Sequence, residues 1–129
     1  MNTPSNSTEA RVAHVFWREL DELDRCVSIS HILVRFRESA QSMNQGRSRE
    51  EALTAIQSAR QSHEAGEPFA SVARRVSDCP SGSSGGFLGE FLPEELMDEV
   101  RAVVEPMAPN SVSDIVESPM GFHLFYRMW

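Results

Sequence analysis

The sequence predicts an α+β domain, in which about four helices cover a small, mostly antiparallel sheet of four strands. One observation is the alternation of side chains along residues 27–36, which is typical of a strand. Another is the helical spacing of apolar residues between positions 48 and 76. The third is a pair of alternating segments near the C-terminus, on either side of a turn at residues 118–121. A chain of 129 residues, 40% of them hydrophobic, suffices for one domain with its own core.

The first 25 residues are expected to form a polar tail and a short helix. Residues 1–10 are rich in Ser, Thr and Asn, and they lack the basic head and apolar core of a secretory signal. Four apolar side chains then stand at helical spacing, which predicts an amphipathic helix over residues 11–24: Val12, Phe16, Leu20 and Leu23. The domain itself is assigned to residues 26–129.

The next part of the chain is predicted to form one strand and two helices. The strand covers residues 27–36. Ser48 and Glu51 have the spacing of a capping box, in which each side chain accepts a hydrogen bond from the other residue's backbone N–H. The helix that follows has an apolar stripe and ends at Gly66: Ala52, Leu53, Ile56 and Ala59. Pro68 opens the second helix, whose stripe is Phe69, Val72, Ala73 and Val76.

The remaining elements are shorter. Small residues at 77–86 predict a loop, and residues 87–91 predict a short strand. Residues 93–104 are predicted to be helical. The alternation in residues 112–117 and 122–128 predicts two strands that are joined by the turn.

Composition excludes several classes of function. The net charge of −7 disfavours general nucleic-acid binding, which needs a basic surface. No apolar run is long enough to span a bilayer, so no membrane association is expected. Two cysteines and four scattered histidines form no ligand cluster, so we expect no metal and no other cofactor. The thiols are expected to be reduced, as in cytoplasm or nucleus, and nothing requires more than a monomer.

The basic residues are unevenly distributed. All twelve are Arg, and four of them lie within residues 35–49, against a single acid, Glu38. The local charge is therefore +3 on an acidic protein. Such a loop favours recognition of a local anion over binding of a polyanion.

Four segments, in order and at compatible spacing, carry a family resemblance. They are SHILV at 30–34, FASVA at 69–73 leading to SDC at 77–79, GGFLGEF at 85–91, and GFHL at 121–124. Together they resemble the parvulin-type peptidyl-prolyl cis/trans isomerases over residues 26–129. The family's WW module needs two Trp about twenty residues apart, and Trp17 and Trp129 do not meet this requirement. Phe87 departs from the Asp that usually follows the second glycine.

The resemblance implies a parvulin-like fold, of the FKBP-like superfold, and isomerase activity on X-Pro bonds of peptides or proteins. It places His31 and His123 side by side at the centre of the sheet, with Cys79 facing the bond that rotates. Neutral, mutually hydrogen-bonded imidazoles would suit a buried position of this kind. Cys26 matches no catalytic motif and is interpreted as a packing residue.

The resemblance also implies a pocket for the proline ring, formed by Leu88, Phe91, Leu96, Val100 and Phe122. Val100 is smaller than the aromatic residue that is usual there, which predicts a shallower pocket. Met120 stands where some members have a Ser or Thr that hydrogen-bonds the histidine pair or the substrate.

Phosphate-directed parvulins have a basic residue at the position of Arg35. Together with Arg37 and Arg47 or Arg49, this residue predicts a preference for an acidic or phosphorylated residue before proline, because guanidinium groups suit such anions. The expected partners are therefore proline-containing peptides or proteins, some of them phosphorylated.

Three alternatives remain open. The Val100, Phe87 and Met120 departures are compatible with a non-catalytic, proline-binding or chaperone-like module of the same fold. Cys79 with either histidine could form the thiolate–imidazole pair of a cysteine hydrolase, although no local protease signature is present. A redox role of Cys26 with Cys79 is disfavoured because their spacing is not C-x-x-C.

Overall fold

The computed structural model describes residues 25–40, 42 and 44–129. The polar tail and helix expected in residues 1–24 lie outside these described residues. The predicted α+β class is confirmed, with five strands and three α-helices in the described chain. In order, the elements are β1 Val27–Val34, α1 Arg49–Glu64, α2 Phe69–Val76, a 3₁₀ helix Pro80–Ser84, β2 Phe87–Phe91, a 3₁₀ helix Pro93–Glu95, α3 Asp98–Val104, β3 Ser111–Val112, β4 Val116–Ser118 and β5 Gly121–Arg127.

The sheet has the order β2-β1-β5-β3, with β4 also paired to β5, and every pairing is antiparallel. The central strands β1 and β5 pair in a register that sets His31 opposite Phe125 and Leu33 opposite His123. All eight residues of β1 are buried, which agrees with its position between two neighbours. The two strands that carry the predicted histidines therefore form the most protected part of the fold.

One predicted strand is two strands, so the sheet has five strands rather than four. Residues 112–117 are interrupted at Ser113, whose backbone N–H donates to the carbonyl of Phe125 at 2.8 Å. The Ser113 hydroxyl in turn accepts from the backbone N–H of Phe125 at 3.0 Å. This side-chain bond replaces a ladder bond, and it separates β3 from β4.

Two apolar clusters lie on opposite faces of the sheet. The helical face packs α1 and α2 against alternate residues of the central strands, among them Ile32, Val34, Phe122 and Leu124. The other face contains Val27, Ile29, Val104 and Phe125. Because side chains alternate along a strand, His31 and His123 belong to this second face.

The helix boundaries follow the expected local chemistry, with one exception. Ser48 and Glu51 form the predicted capping box, and α1 is followed by Gly66 at a φ of +117°. The segment predicted as one helix over residues 93–104 is instead divided by Leu96 and Met97, whose backbones are extended. None of the helices in the described part of the chain is long and apolar enough to cross a membrane.

Candidate active site

The two histidines come together at the centre of the sheet. His31 lies in the middle of β1, and His123 lies on β5, diagonally across the strand pair. Their ring centroids are 5.7 Å apart, and the ring planes meet at 26°. Side chains at such diagonal positions are within reach of each other when they are aromatic. The structure therefore brings together two residues that were predicted to be neighbours.

A third ring, Phe125, completes this group and was not predicted. It lies opposite His31 in the register, at 6.0 Å between ring centroids. It also stacks on His123, at 5.6 Å with planes only 1° apart. The signal was available in the sequence, because Phe125 follows His123 by two residues and so shares its face.

The hydrogen bonding of the imidazoles differs from the expectation. The two rings stack rather than bond to each other, and among the described residues Nε2 of His31 and Nδ1 of His123 have no hydrogen-bond partner. Nε2 of His123 instead lies 2.6 Å from the hydroxyl of Ser118. This hydroxyl also accepts the backbone N–H of Met120, at 3.1 Å. Ser118 thus provides the hydroxyl contact that was sought at position 120, and it constrains the orientation of the His123 ring.

Burial keeps the histidine pair uncharged. It lowers the pKa of His31 from 6.5 to about 4, and the nearby charge of His123 contributes to this lowering. Burial also lowers the pKa of His123. Desolvation disfavours the imidazolium form, so both rings are neutral at pH 7. The three rings form an uncharged floor on this face of the sheet.

Cys79 lies on a loop that is fastened to β1 at both ends. The backbone N–H of Asp78 donates to the carbonyl of Leu33 at 2.7 Å, and the backbone N–H of His31 donates to the carbonyl of Gly86 at 2.9 Å. The loop therefore runs along the same edge of β1 as β2. Cys79 itself is half-buried and accepts a hydrogen bond from the hydroxyl of Ser81 at 3.1 Å. Its predicted role at the rotating bond stays a prediction.

Three of the predicted pocket residues lie on the face of the histidine pair. Phe91, Leu96 and Val100 are partly buried and pack against the cluster that contains Phe125. Leu88 is 40% exposed on β2, and its place in the pocket stays a prediction.

Phe122 does not belong to this pocket. It is 2% exposed and lies in the helical-face cluster, where its ring packs at a tilt of 41° against that of Phe36, with centroids 5.3 Å apart. The physical reason is the two-residue period of β5, which turns Phe122 and His123 to opposite faces. Its assignment to the proline pocket is corrected.

The arginines of the predicted anion site divide into paired and unpaired groups. Arg47 forms an ion pair with Asp78 at 2.7 Å and also donates to the carbonyl of Arg35 at 3.0 Å. Arg49 pairs with Glu117 through two contacts of 2.6 and 3.1 Å, and its guanidinium lies over the Phe122 ring, on the helical face. Neither is an unpaired cation, and the expected role of Arg47 in binding an anion stays a prediction.

Arg35 and Arg37 have no carboxylate partner among the described residues. Arg37 is exposed and donates to the carbonyl of Gly46 at 3.3 Å. Arg35 is half-buried, and its Nε has no hydrogen-bond partner within the described chain. These two guanidinium groups remain the candidates for an anion. The described residues contain no group of three His, Cys, Asp or Glu side chains that could hold a metal ion.

Comparison with known families matches residues 31–128 to the rotamase model, described as the PPIC-type PPIase domain. This chain belongs to that family. NifM of Azotobacter vinelandii is 43% identical over 60 residues, which are 46% of this chain and 20% of NifM. Pin1 of Arabidopsis thaliana, a peptidyl-prolyl cis-trans isomerase, is 31% identical over 111 residues, 78% of this chain and 93% of its own. The solution structure of TbPIN1 matches at a TM-score of 0.68 and 29% identity, covering 81% of this chain and 98% of that one.

The parvulin family predicted from the four sequence segments is therefore confirmed, as is the fold. The chain spans only about a fifth of the length of the NifM relatives, whereas it spans nearly the whole of Arabidopsis Pin1. The assignment to the rotamase family therefore applies to residues 31–128 of this chain.

Proposed function

We propose that this parvulin domain catalyses cis/trans isomerisation of X-Pro bonds in peptides or proteins. The observation that carries the proposal is the floor of three stacked rings, His31, His123 and Phe125, beside the apolar residues Leu96 and Val100. Such a floor is uncharged, with apolar side chains on one side and the polar imidazole rings on the other. A proline ring and the amide that precedes it have the same two-sided character.

The chemistry required is modest. Amide resonance opposes rotation with a barrier of roughly 18–20 kcal/mol, and no covalent bond has to break. An enzyme must bind the twisted amide more tightly than either planar form. The twisted amide has lost much of its charge separation, so an apolar, neutral floor favours it over the planar amide. Donors close to the nitrogen and the carbonyl then stabilise the changed charge distribution.

In this mechanism the histidines act as neutral groups. A lowered pKa removes the positive charge that would otherwise favour the polar, planar amide. Ser118 holds His123 in one orientation through its hydroxyl, so the ring does not have to reorganise during rotation. The loop carrying Cys79 runs beside β1 and is our candidate for the wall opposite the floor.

For substrate choice we propose a preference for an acidic or phosphorylated residue before proline. Arg35 follows the histidine strand directly, and together with the exposed Arg37 it supplies two cations without carboxylate partners in the described chain. Guanidinium groups bind carboxylate and phosphate through paired hydrogen bonds. Because Arg47 is paired with Asp78, the net attraction is smaller than the sequence alone suggests.

The test is an isomerisation assay by NMR exchange on three peptides that differ only in the residue before proline: Ala, Glu and phosphoserine. We expect acceleration of all three, fastest for phosphoserine and slowest for Ala. Equal kcat/KM for the three would remove the acidic preference and leave the isomerase activity. Binding without acceleration would instead indicate the non-catalytic, proline-binding module.

A variant separates isomerisation from hydrolysis at Cys79. Rotation about an amide breaks no covalent bond and needs no nucleophile, so Cys79→Asp should retain measurable isomerase activity. A cysteine hydrolase would lose all activity with this variant, because the thiolate is its nucleophile. Peptide cleavage by the wild-type protein that disappears in Cys79→Asp would contradict the proposal.

A further inference from the structure

Asp78 connects the two loops that border the candidate site. Its Oδ2 accepts the backbone N–H of Arg35 at 2.8 Å and also accepts Nη1 of Arg47 at 2.7 Å. Its own backbone N–H donates to the carbonyl of Leu33 at 2.7 Å. The residue that immediately follows is Cys79. The Asp78 carboxylate thus contacts both ends of the loop over residues 35–47, which we call the arginine loop, and the Asp78 backbone joins this loop to the histidine strand β1.

Arg47 stands at the C-terminal end of the arginine loop and binds both Asp78 and the residue at the other end of the loop, Arg35. The same Nη1 that meets Asp78 also donates to the carbonyl of Arg35 at 3.0 Å. The backbone carbonyl of Arg47 accepts the backbone N–H of Arg37 at 2.8 Å. The two ends of the loop are therefore closed on each other beside Arg35, and Arg47 is held close to the two unpaired arginines.

Positive charges are in excess at this junction. Arg35, Arg37 and Arg47 carry three positive charges, and Asp78 carries one negative charge, which leaves a net charge of +2. Arg47 and Asp78 are only partly exposed, at 37% and 31%, so solvent screens their field incompletely. A carboxylate in this position lowers the attraction of any anion to the two unpaired guanidiniums.

We propose that Asp78 is a specificity-determining residue, which limits how strongly the site prefers an acidic or phosphorylated residue before proline. The inference rests on the proposed isomerase function and names the residue that sets its substrate range. Asp78 offsets the charge of Arg47, so the site can still accept peptides with a neutral residue before proline. Removing the negative charge of Asp78 leaves the positive charge of Arg47 without compensation. The site then favours an acidic residue before proline more strongly over a neutral one.

The experiment measures kcat/KM for Glu-Pro and Ala-Pro peptides and uses the ratio of the two values. A variant that disturbs the loop before Cys79 slows both peptides alike, and the ratio removes this common loss. Asp78→Asn raises the local charge to +3 and keeps an oxygen that accepts the Arg35 N–H. Arg47→Gln lowers the local charge to +1, and the double variant restores +2. Glu38, on the same loop, is unchanged in every variant.

The expected order of the ratio is Asp78→Asn highest, wild type and the double variant equal, and Arg47→Gln lowest. Each step should be about threefold, the scale of one screened charge at a partly exposed site. The differences should shrink in high salt, because added ions screen the charges.

A matched control is available beyond the C-terminal end of α1, the helix whose first residue, Arg49, lies next to the arginine loop. Glu67 pairs with Arg75 at 2.7 Å and is 32% exposed, almost the same exposure as Asp78. Glu67→Gln removes the same charge from a surface ion pair away from the arginine loop, and it should leave the ratio unchanged.

Two outcomes would overturn the role of Asp78. One is a ratio that is the same in Asp78→Asn and wild type while turnover persists. The other is an equal rise in Glu67→Gln, which would indicate an effect of net charge alone. Absence of turnover by the wild-type protein on every peptide is a different result, because it overturns the isomerase function itself.

Discussion

Acidification should destabilise this domain through His31 in a way that a single substitution can isolate. The folded-state pKa of His31 is about 4, against 6.5 for a solvated imidazole. Above the solvated value the ring is neutral in both states and makes no pH-dependent contribution. Below pH 6.5 the unfolded chain binds a proton at His31 that the folded chain does not bind. The free energy of unfolding therefore falls until the pH reaches the folded-state pKa of about 4.

The magnitude follows from these two pKa values. At pH 5 the unfolded imidazole is almost fully protonated and the folded one is almost neutral, so the folded state loses about 2 kcal/mol relative to pH 7.5. His31 is 8% exposed, so solvent screening reduces this figure little. Against a total stability of roughly 5–15 kcal/mol for a small domain, such a loss is easily measured.

The assay is urea denaturation of the wild-type protein and of His31→Leu at both pH values. Leu has nearly the volume of His, cannot titrate, and removes a buried nitrogen that has no partner in the described chain. Carboxylates with lowered pKa values, such as Glu51 and Glu117, are present in both proteins. Their contributions to the pH dependence of stability therefore cancel in the comparison. The wild-type protein should lose about 2 kcal/mol more than the variant between pH 7.5 and pH 5. Equal losses in the two proteins would refute the argument that His31 is held neutral by burial.

Two further substitutions test how the site is held. Ser118→Ala should lower kcat/KM about three- to tenfold on every peptide, because it removes a hydrogen bond to His123 of about 1 kcal/mol. Ser118→Thr should restore the rate, and the ¹⁵N shifts of the His123 ring should change only in the Ala variant; an unchanged ring would contradict a positioning role. Gly86→Ala should have a free energy of unfolding lower than that of Gly66→Ala by about 1–3 kcal/mol, measured in urea, because the added Cβ collides with the carbonyl of His31. Both glycines have positive φ, but Gly66 has open space around it, so equal destabilisation would exclude the collision as the cause.

Local sequence signals predicted most of the elements, because each depended on neighbours along the chain. The capping box of Ser48 and Glu51 fixed the start of α1, and the alternation of residues 27–36 located β1 to within two residues of its end. The division of residues 112–117 was not predictable in this way. It depends on a hydrogen bond from the backbone N–H of Phe125 to the hydroxyl of Ser113. The alternation of apolar and polar side chains along the chain gives no information about such a bond.

The histidine pair was predicted from the family resemblance, whereas residues placed by the strand period or by long-range pairing were missed. The histidine pair followed from two matching segments, and the period of β5 alone could have added Phe125 and excluded Phe122. Arg47 is different. Its pairing with Asp78 joins residues 31 positions apart, and the sequence alone gives no reason to choose this carboxylate over the other eighteen acidic side chains.

The rings and the charges of this site are held by different parts of the fold, and their effects should therefore be separable. The rings stand on β1 and β5, whose register is fixed by a ladder of backbone bonds. The charges stand on two loops, which meet through the carboxylate of Asp78. A change at Ser118 acts on the rings, so it should slow every peptide by the same factor. A change at Asp78 acts on the charges, so it should alter the ratio between peptides. A single variant that shifts both quantities together would show that loop and sheet are coupled.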